Sequence, residues 1–168
     1  MNYHNITHDD MTNGSGLRVV LWLSGCSHNC EECHNPITHN SKSGLAFDKK
    51  AKEEVFSSLK KDYISGLTLS GGDPMHLNNR EEVLKLVKEV KQFYPDKTIW
   101  IYTGYLWENI QKDRTLYDIY IQSDVLVDGK FVKKLYDSSY KWAGSTNQRV
   151  IDIRKTQEEG EVVLYEHS

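Results

Sequence analysis

The sequence has few cysteines and few prolines, three of each among 168 residues. A disulfide framework favours an even number of cysteines in a short secreted chain, and neither condition holds here. The chain also has no apolar run near the roughly 20 residues that span a membrane, and its first residues lack the basic and apolar regions of a signal peptide. We therefore expect a cytoplasmic protein whose thiols stay reduced and available as ligands.

Neither sign of charge dominates the sequence. Its 21 basic and 24 acidic side chains give a net charge of −3, without the cluster of Lys and Arg that a nucleic-acid binder needs. We expect neither nucleic acid nor a membrane as a partner. With 38% hydrophobic residues, the chain can bury one core. We expect a single domain over residues 1–168, with a core of about 1–153 and an extension, 154–168, of uncertain structure.

All three cysteines lie in one C-x3-C-x2-C array, as Cys26, Cys30 and Cys33. A 4Fe-4S cluster that serves only electron transfer usually has four thiolate ligands. Three thiolates would leave one iron open to a further ligand, as a catalytic zinc keeps an open position. A Cys3His zinc site is the alternative, with His28 or His39 as the fourth ligand. His28 could instead donate to a cluster sulfide and tune the cluster potential.

The apolar pattern predicts alternating strands and helices. The predicted strands cover residues 18–24, ended by Gly25, and residues 67–70, 97–102 and 124–128, each an apolar run rich in β-branched or aromatic residues. Amphipathic patterns predict a helix over 47–63 capped by Asp48, a second beginning at Asn78 or Asn79, and a weaker third over about 106–121. Residues 131–136 form at most a short helix, and 149–154 and 161–165 are predicted as strands joined through Gly160.

This alternation predicts an α/β fold with a parallel sheet and right-handed crossovers. The units are too few to close an eight-stranded barrel. We expect an open, partial (βα) barrel of about four to five βα units. The cysteine array, Gly71-Gly72-Asp73-Pro74, Thr103-Gly104 and Asp128-Gly129-Lys130 each follow a predicted strand. Parallel strands bring these four segments to one edge of the sheet, where ligands of such folds bind.

The order of these motifs resembles that of the radical S-adenosylmethionine (SAM) enzymes. Their signature is a C-x3-C-x2-C array followed, one strand later, by a Gly-Gly-Glu-Pro-type segment, which here is residues 71–74. Residues 1–4, 13–16, 70–74, 100–105, 126–132 and 144–148 are further similar to the activating proteins of anaerobic (class III) ribonucleotide reductases. The resemblance covers roughly residues 1–150.

The resemblance implies which residues contact the cofactors. Cys26, Cys30 and Cys33 would hold the 4Fe-4S cluster, and the open iron would bind the amino and carboxylate groups of SAM. Gly71 and Gly72 lack a Cβ, so their main chain can approach a ligand and adopt positive φ. Asp73 would complement the methionine ammonium of SAM, or serve only as a turn residue before Pro74.

Two further sets of contacts are implied. Glu32, Cys33 and His34 would run beside the adenine, although the superfamily often has an aromatic residue where Glu32 stands and this family commonly has Tyr where His34 stands. Asp128 and Lys130 would lie near the ribose and carboxylate of SAM. A tight Asp-Gly turn is the alternative for Asp128.

The resemblance also implies a function, that of a radical SAM oxidoreductase. A flavodoxin-like donor would supply one electron, SAM would be cleaved reductively, and a glycyl radical would form on the large subunit of the anaerobic ribonucleotide reductase. No catalytic side chain beyond the cluster is expected, because the cofactor carries the bond chemistry. Two alternatives remain. One is another small radical SAM enzyme, either an activase of a different glycyl radical enzyme or a deazapurine synthase; the other is a zinc-stabilised interaction module without turnover.

Overall fold

The computed structural model describes residues 1–26, 28 and 39–166. Its strands are β1 (Asn2–Asp10), β2 (Leu17–Leu23), β3 (Leu45–Ala46), β4 (Ile64–Gly71), β5 (Thr98–Tyr102), β6 (Val125–Asp128) and β7 (Arg149–Asp152). They form one open sheet in the order β3-β1-β2-β4-β5-β6-β7. The neighbours β2, β4, β5 and β6 run parallel, as predicted, while β1, β3 and β7 pair antiparallel. The sheet is therefore mixed rather than wholly parallel.

The helices of the described residues follow the strands in sequence. They are α1 (Lys49–Leu59), α2 (Arg80–Phe93), α3 (Trp107–Ile110), α4 (Arg114–Ile121) and α5 (Ile153–Glu159). Asp48 caps α1 as predicted, because its carboxylate accepts from the amide of Ala51 at 2.9 Å. The apolar positions of α2, including Val83, Val87 and Val90, are buried against the sheet. No helix in this part of the chain is long and apolar enough to cross a membrane.

The two faces of the sheet have different neighbours. Alternate strand residues such as Leu21, Leu69 and Ile101 belong to the main core, which the helices cover. The residues between them, such as Trp22, Ser70 and Tyr102, lie on the opposite face, which we call the inner face. A smaller core on the inner face consists of Trp100, Val125, Val127 and Val150, with Trp142, Ala143 and Tyr165 packed against it.

Several predicted boundaries are wrong. The apolar pattern does not predict β1, since Ile6 is its only buried residue and pairing with β2 supplies its main-chain hydrogen bonds. The predicted helix over 106–121 is two helices, because Asp113 caps α4 by accepting from the amide of Leu116 at 3.0 Å.

The carboxyl-terminal prediction also needs correction. The strand predicted over 149–154 ends at Asp152, whose carboxylate accepts from Lys155 N (3.0 Å) and begins α5. Residues 161–165 are not a strand paired through Gly160; only Leu164 forms an isolated bridge, to Ile151. Gly160 ends α5 with φ of 76°, a conformation that suits glycine after a helix.

Candidate functional site

The site lies at the carboxyl ends of β2, β4 and β5. The chain leaves β4 through Gly72 and Asp73, and it is held to the end of β2 by two main-chain hydrogen bonds. The amide of Gly72 donates to Leu23 O at 2.8 Å, and that of Asp73 donates to Gly25 O at 2.7 Å. Parallel pairing of the two strands therefore brings the start of the cysteine array beside the Gly-Gly-Asp-Pro segment, as the sequence predicts for this edge.

Asp73 accepts hydrogen bonds from several of the segments at this edge of the sheet. Its carboxylate is only 1% exposed. Oδ2 accepts from His28 Nε2 at 2.6 Å, from Thr103 Oγ1 at 3.0 Å and from the amide of Gly104 at 3.0 Å. Oδ1 accepts from the amide of Met75 at 2.8 Å. Four donors thus hold a buried carboxylate, which satisfies the rule that buried charges are paired and hydrogen-bonded.

His28, between the first two cysteines of the array, fits closely against the loop after β5. Its side chain is 8% exposed, and its ring packs edge-to-face on Tyr105 with centroids 4.7 Å apart. A Cβ on Gly104 would lie 2.5 Å from the imidazole, so only glycine leaves room for it. Among the described residues the partner of His28 is Asp73. The structure therefore ties His28 to the loop after β4.

Cys26 is the one cysteine of the array within the described residues. Its Sγ and ligand atoms of His28 and Asp73 all lie within 4.8 Å of one another. The amide of Cys26 donates to the carbonyl of His39 at 3.1 Å, and His39 Nε2 is buried without a hydrogen-bond partner in the described part of the chain. Cys30 and Cys33 lie outside the described residues, as do Glu32 and His34, the residues predicted to run beside the adenine.

Gly71 has the positive φ expected of it, at 106°. A Cβ there would lie 2.4 Å from both the nitrogen and the oxygen of Leu23. Glycine is therefore required at this position because the main chain passes close to β2 of the same sheet. Gly72 is held by the Leu23 carbonyl, as described above. Contacts of either glycine with SAM stay predictions.

Asp128 follows β6 and lies next to the loop after β5, where the amide of Gly129 donates to Tyr105 O at 3.3 Å. It is fully buried, and its two oxygens accept from Arg149 Nε (3.1 Å), from Arg149 Nη2 (2.5 Å) and from the amide of Trp107 (2.8 Å). Arg149 also donates to both oxygens of Glu108, at 2.7 and 3.2 Å. These two carboxylates raise the pKa of Arg149, and the hydrogen bond from Arg149 lowers the pKa of Glu108.

Lys130 is exposed beside this group, and its carbonyl accepts from Asn147 Nδ2 at 2.8 Å. Gly129 has a φ of 95°, which fits the tight Asp-Gly turn considered for this segment. Contact of Asp128 or Lys130 with SAM stays a prediction. No pattern in the sequence indicates the partnership of Arg149 with Asp128, because the two residues approach only through antiparallel pairing of β6 with β7.

The sequence predicts Asn78 or Asn79 only as the cap of α2, and it assigns no role to Arg80. Asn79 stands at the start of α2, but its side chain forms no cap. It donates instead to the carbonyls of Ser24 (2.8 Å) and Asp73 (3.0 Å). Arg80 donates to Met75 O at 2.7 Å and to the hydroxyl of Tyr105 at 3.2 Å. These contacts link α2 to the loops around Asp73.

Comparison with known proteins shows the family to which the chain is similar. The model of the family described as 4Fe-4S single cluster domain matches residues 12–151. The anaerobic ribonucleoside-triphosphate reductase-activating protein of Enterobacteria phage T4 is 45% identical over 150 residues, which cover 89% of this chain and 93% of that protein. The chain belongs to the family of anaerobic ribonucleoside-triphosphate reductase-activating proteins.

Further members of this activating-protein family come from bacteria. The protein from Haemophilus influenzae is 42% identical over 150 residues, with 88% of this chain and 96% of the relative covered. The protein from Escherichia coli (strain K12) is 40% identical over 156 residues, which cover 92% of this chain and all of the relative. The resemblance to the activating proteins of anaerobic ribonucleotide reductases is thereby confirmed. The 4Fe-4S domain supports an iron-sulfur cluster over the zinc alternative.

Proposed function

We propose that this chain is a radical SAM activase of an anaerobic ribonucleotide reductase. In this proposal Cys26, Cys30 and Cys33 hold a 4Fe-4S cluster with one open iron, and SAM binds that iron. The bound cofactors supply reductive cleavage of SAM to methionine and a 5′-deoxyadenosyl radical, which takes a hydrogen atom from a glycine Cα of the large reductase subunit. A flavodoxin-like protein is the proposed electron donor, and the cytoplasm is the proposed location.

The observation that carries the proposal is the position of Cys26. This thiol follows β2 at the sheet edge where Gly72 and Asp73 follow β4, and main-chain hydrogen bonds join the two segments. Thiolates are the usual ligands of iron-sulfur clusters. The donor type and its place at the carboxyl edge of parallel strands both fit a cluster at this site.

The described residues also show how the chain would prepare the site. Asp73, held by four donors, joins the cysteine segment, the loop after β4 and the loop after β5 into one unit. Hydrogen bonds among the residues of a site hold the ligand-contacting side chains in position before the ligand binds. Because all the donors to Asp73 come from the chain itself, a methionine ammonium would share this carboxylate with His28, or replace it there. We propose the first arrangement, with Asp73 as a shared acceptor.

Anaerobic reconstitution tests the proposal. Protein treated with iron and sulfide should bind about four irons and four sulfides, as a single 4Fe-4S cluster requires, and should release 5′-deoxyadenosine when dithionite and SAM are added. Cys30→Ala should lose the visible absorbance of the cluster and the release of 5′-deoxyadenosine. Met11→Ala, which removes an exposed sulfur-containing side chain, is the matched control and should keep both.

The alternatives give different results in the same experiment. One zinc per chain with no iron would contradict the proposal and support an interaction module. Release of 5′-deoxyadenosine without a glycyl radical signal on the reductase, measured by electron paramagnetic resonance, would support another small radical SAM enzyme. A new small-molecule product would identify that enzyme as a synthase.

A further inference from the structure

Three metal-ligating side chains of different chemistry lie together at the carboxyl edge of the sheet. Ligand atoms of Cys26, His28 and Asp73 are all within 4.8 Å of one another. A tetrahedral zinc ion holds sulfur at about 2.3 Å and nitrogen or oxygen at about 2.0–2.2 Å, which places neighbouring ligand atoms roughly 3.3–3.6 Å apart. The three side chains therefore need only small movements to enclose one ion.

The hydrogen bond between His28 and Asp73 marks the position of such an ion. His28 Nε2 and Asp73 Oδ2 are 2.6 Å apart, so both atoms point into one small region. A divalent ion that takes the place of the proton between them would separate these two atoms to about 3.4 Å. The neutral imidazole then carries its one proton on Nδ1. The Cys26 thiol releases its proton, because the thiolate is the form that binds metals.

The charge of this group also favours a cation. The Asp73 carboxylate is 1% exposed, and among the described residues no Lys or Arg donates to it. Buried charges are usually paired with an opposite charge or bound to a metal. One thiolate and one carboxylate together balance the two positive charges of a divalent ion, and the neutral imidazole of His28 supplies a third ligand.

Neighbouring residues already hold two of these ligands in place. Asp73 keeps three donors besides His28, namely the amides of Met75 and Gly104 and the hydroxyl of Thr103. The His28 side chain is itself 8% exposed. Hydrogen bonds around metal ligands orient them, and their loss commonly lowers metal affinity by about 10–100-fold. This support distinguishes the group from a chance cluster of exposed acidic side chains.

We infer that the cluster-free protein binds one Zn²⁺ ion through Cys26, His28 and Asp73, with water as the fourth ligand. Thiolate and imidazole suit Zn²⁺ rather than Mg²⁺ or Ca²⁺, which prefer oxygen ligands. Zn²⁺ also binds such ligands more tightly than Fe²⁺ does. Because Cys26 is a ligand of the 4Fe-4S cluster in the proposed function, zinc and the cluster exclude each other. This exclusion rests on the proposed function, whereas the zinc site itself does not.

Zinc titration of the full chain, freed of metal with a chelator, tests the inference. We expect one Zn²⁺ per chain. X-ray absorption of the zinc-loaded protein should show one sulfur ligand at about 2.3 Å and three nitrogen or oxygen ligands at about 2.0–2.2 Å. Three sulfur ligands would overturn the inference, because the three cysteines would then hold the ion. Failure of the wild-type protein to bind one equivalent of zinc would overturn it as well.

Matched variants locate the ligands. His28→Asn and Asp73→Asn should each raise the Kd for zinc at least about tenfold, the effect of about 1.4 kcal/mol. His8→Asn removes a half-exposed surface imidazole and should leave this Kd unchanged, as should the double variant Cys30→Ala/Cys33→Ala. Unchanged affinity in either His28→Asn or Asp73→Asn would overturn the inference, and so would loss of binding in the double variant. X-ray absorption of the wild-type protein decides the ligands where a variant fails to fold.

The exclusion of the cluster is measured separately. One equivalent of Zn²⁺ added before iron and sulfide should lower the iron bound per chain, whereas the same amount of Mg²⁺ should not. Equal iron content with and without zinc would contradict the exclusion. Failure of the proposed function gives a different result: the wild-type protein would bind no cluster even without zinc, while its zinc stoichiometry and X-ray spectrum would stay as expected.

Discussion

His28 and Asp73 join the cysteine segment to the loop after β4 through a hydrogen bond of 2.6 Å between the imidazole Nε2 and carboxylate Oδ2. The two residues are 45 positions apart in the sequence. Both side chains are nearly inaccessible, at 8% and 1% exposure, so water cannot replace either partner easily. The pair therefore couples the position of the first cysteine to the position of the Gly-Gly-Asp-Pro segment.

Loss of this pair should weaken the site. His28→Asn removes the donor that reaches Asp73, and we expect the free energy of unfolding to fall by about 1–3 kcal/mol, the cost of a buried group left without its partner. Iron retained after gel filtration should also fall. His8→Asn is the control, since His8 pairs with Glu54 at the surface and should contribute less than about 1 kcal/mol. Equal losses in the two variants would show that the buried pair has no special role.

Gly104→Ala tests the fit of His28 against the loop after β5. The new Cβ would lie 2.5 Å from the imidazole, so either the ring or the loop must move, at a cost of about 1–3 kcal/mol. Urea unfolding measures the loss. In a His28→Ala background the same change should cost much less, because the clashing ring is absent. Additive effects in the double variant would contradict this explanation.

Arg149→Met should destabilise the fold strongly. Among the described residues it leaves the fully buried Asp128 with the amide of Trp107 as its one donor, and loss of one partner of a buried ion pair costs about 3–5 kcal/mol. Because Arg149 is itself 30% exposed, we expect the lower end of this range. Arg154→Met, which breaks a surface pair with Glu158, should cost less than about 1 kcal/mol. Comparable unfolding midpoints for the two variants would contradict the prediction.

Glu108 should contribute to the acid dependence of stability. The hydrogen bond from Arg149 lowers the pKa of Glu108 in the folded protein, so its stabilising contribution is present above the ordinary carboxyl pKa and is lost as the pH falls through the folded pKa. Glu108→Gln should therefore flatten part of the decline in unfolding free energy below about pH 4.3. The same change in an Arg149→Met background should have no such effect. A persistent effect there would mean that another group lowers this pKa.

Arg18→Lys should destabilise the inner face of the sheet. The buried guanidinium donates five hydrogen bonds to neutral oxygen atoms. These acceptors are Ser15 O, Leu67 O, Thr68 Oγ1, Thr98 O and Thr98 Oγ1. Burial lowers the pKa of Arg18 to about 10. Lysine has only three donors and no planar fork, so we expect a loss of about 2–4 kcal/mol from acceptors left unsatisfied. Arg114→Lys, at a 90% exposed side chain, should change nothing measurable in the same urea titration.

The central part of the fold could be predicted because its signal is local. The apolar strands at β2, β4, β5 and β6, the amphipathic helices α1 and α2, and the cap at Asp48 were all predicted from residue patterns, and the structure confirms them. The strand β1 and the helix α5 could not be predicted in this way. β1 is mostly polar and gains its order from pairing with β2, and α5 is too short for its periodicity to stand out.

The sequence by itself determined the chemistry available to this protein: three thiols at cluster spacing, a glycine-rich turn after a buried strand, and an alternation that places both at one sheet edge. Only the tertiary structure decided the partners. That Asp73 holds His28, that Arg149 holds Asp128, and that Gly104 must lack a Cβ follow from strand register and loop approach between residues far apart in sequence. Residue type sets what a side chain can bind, whereas its actual partner depends on which distant segment the sheet brings within a few ångströms.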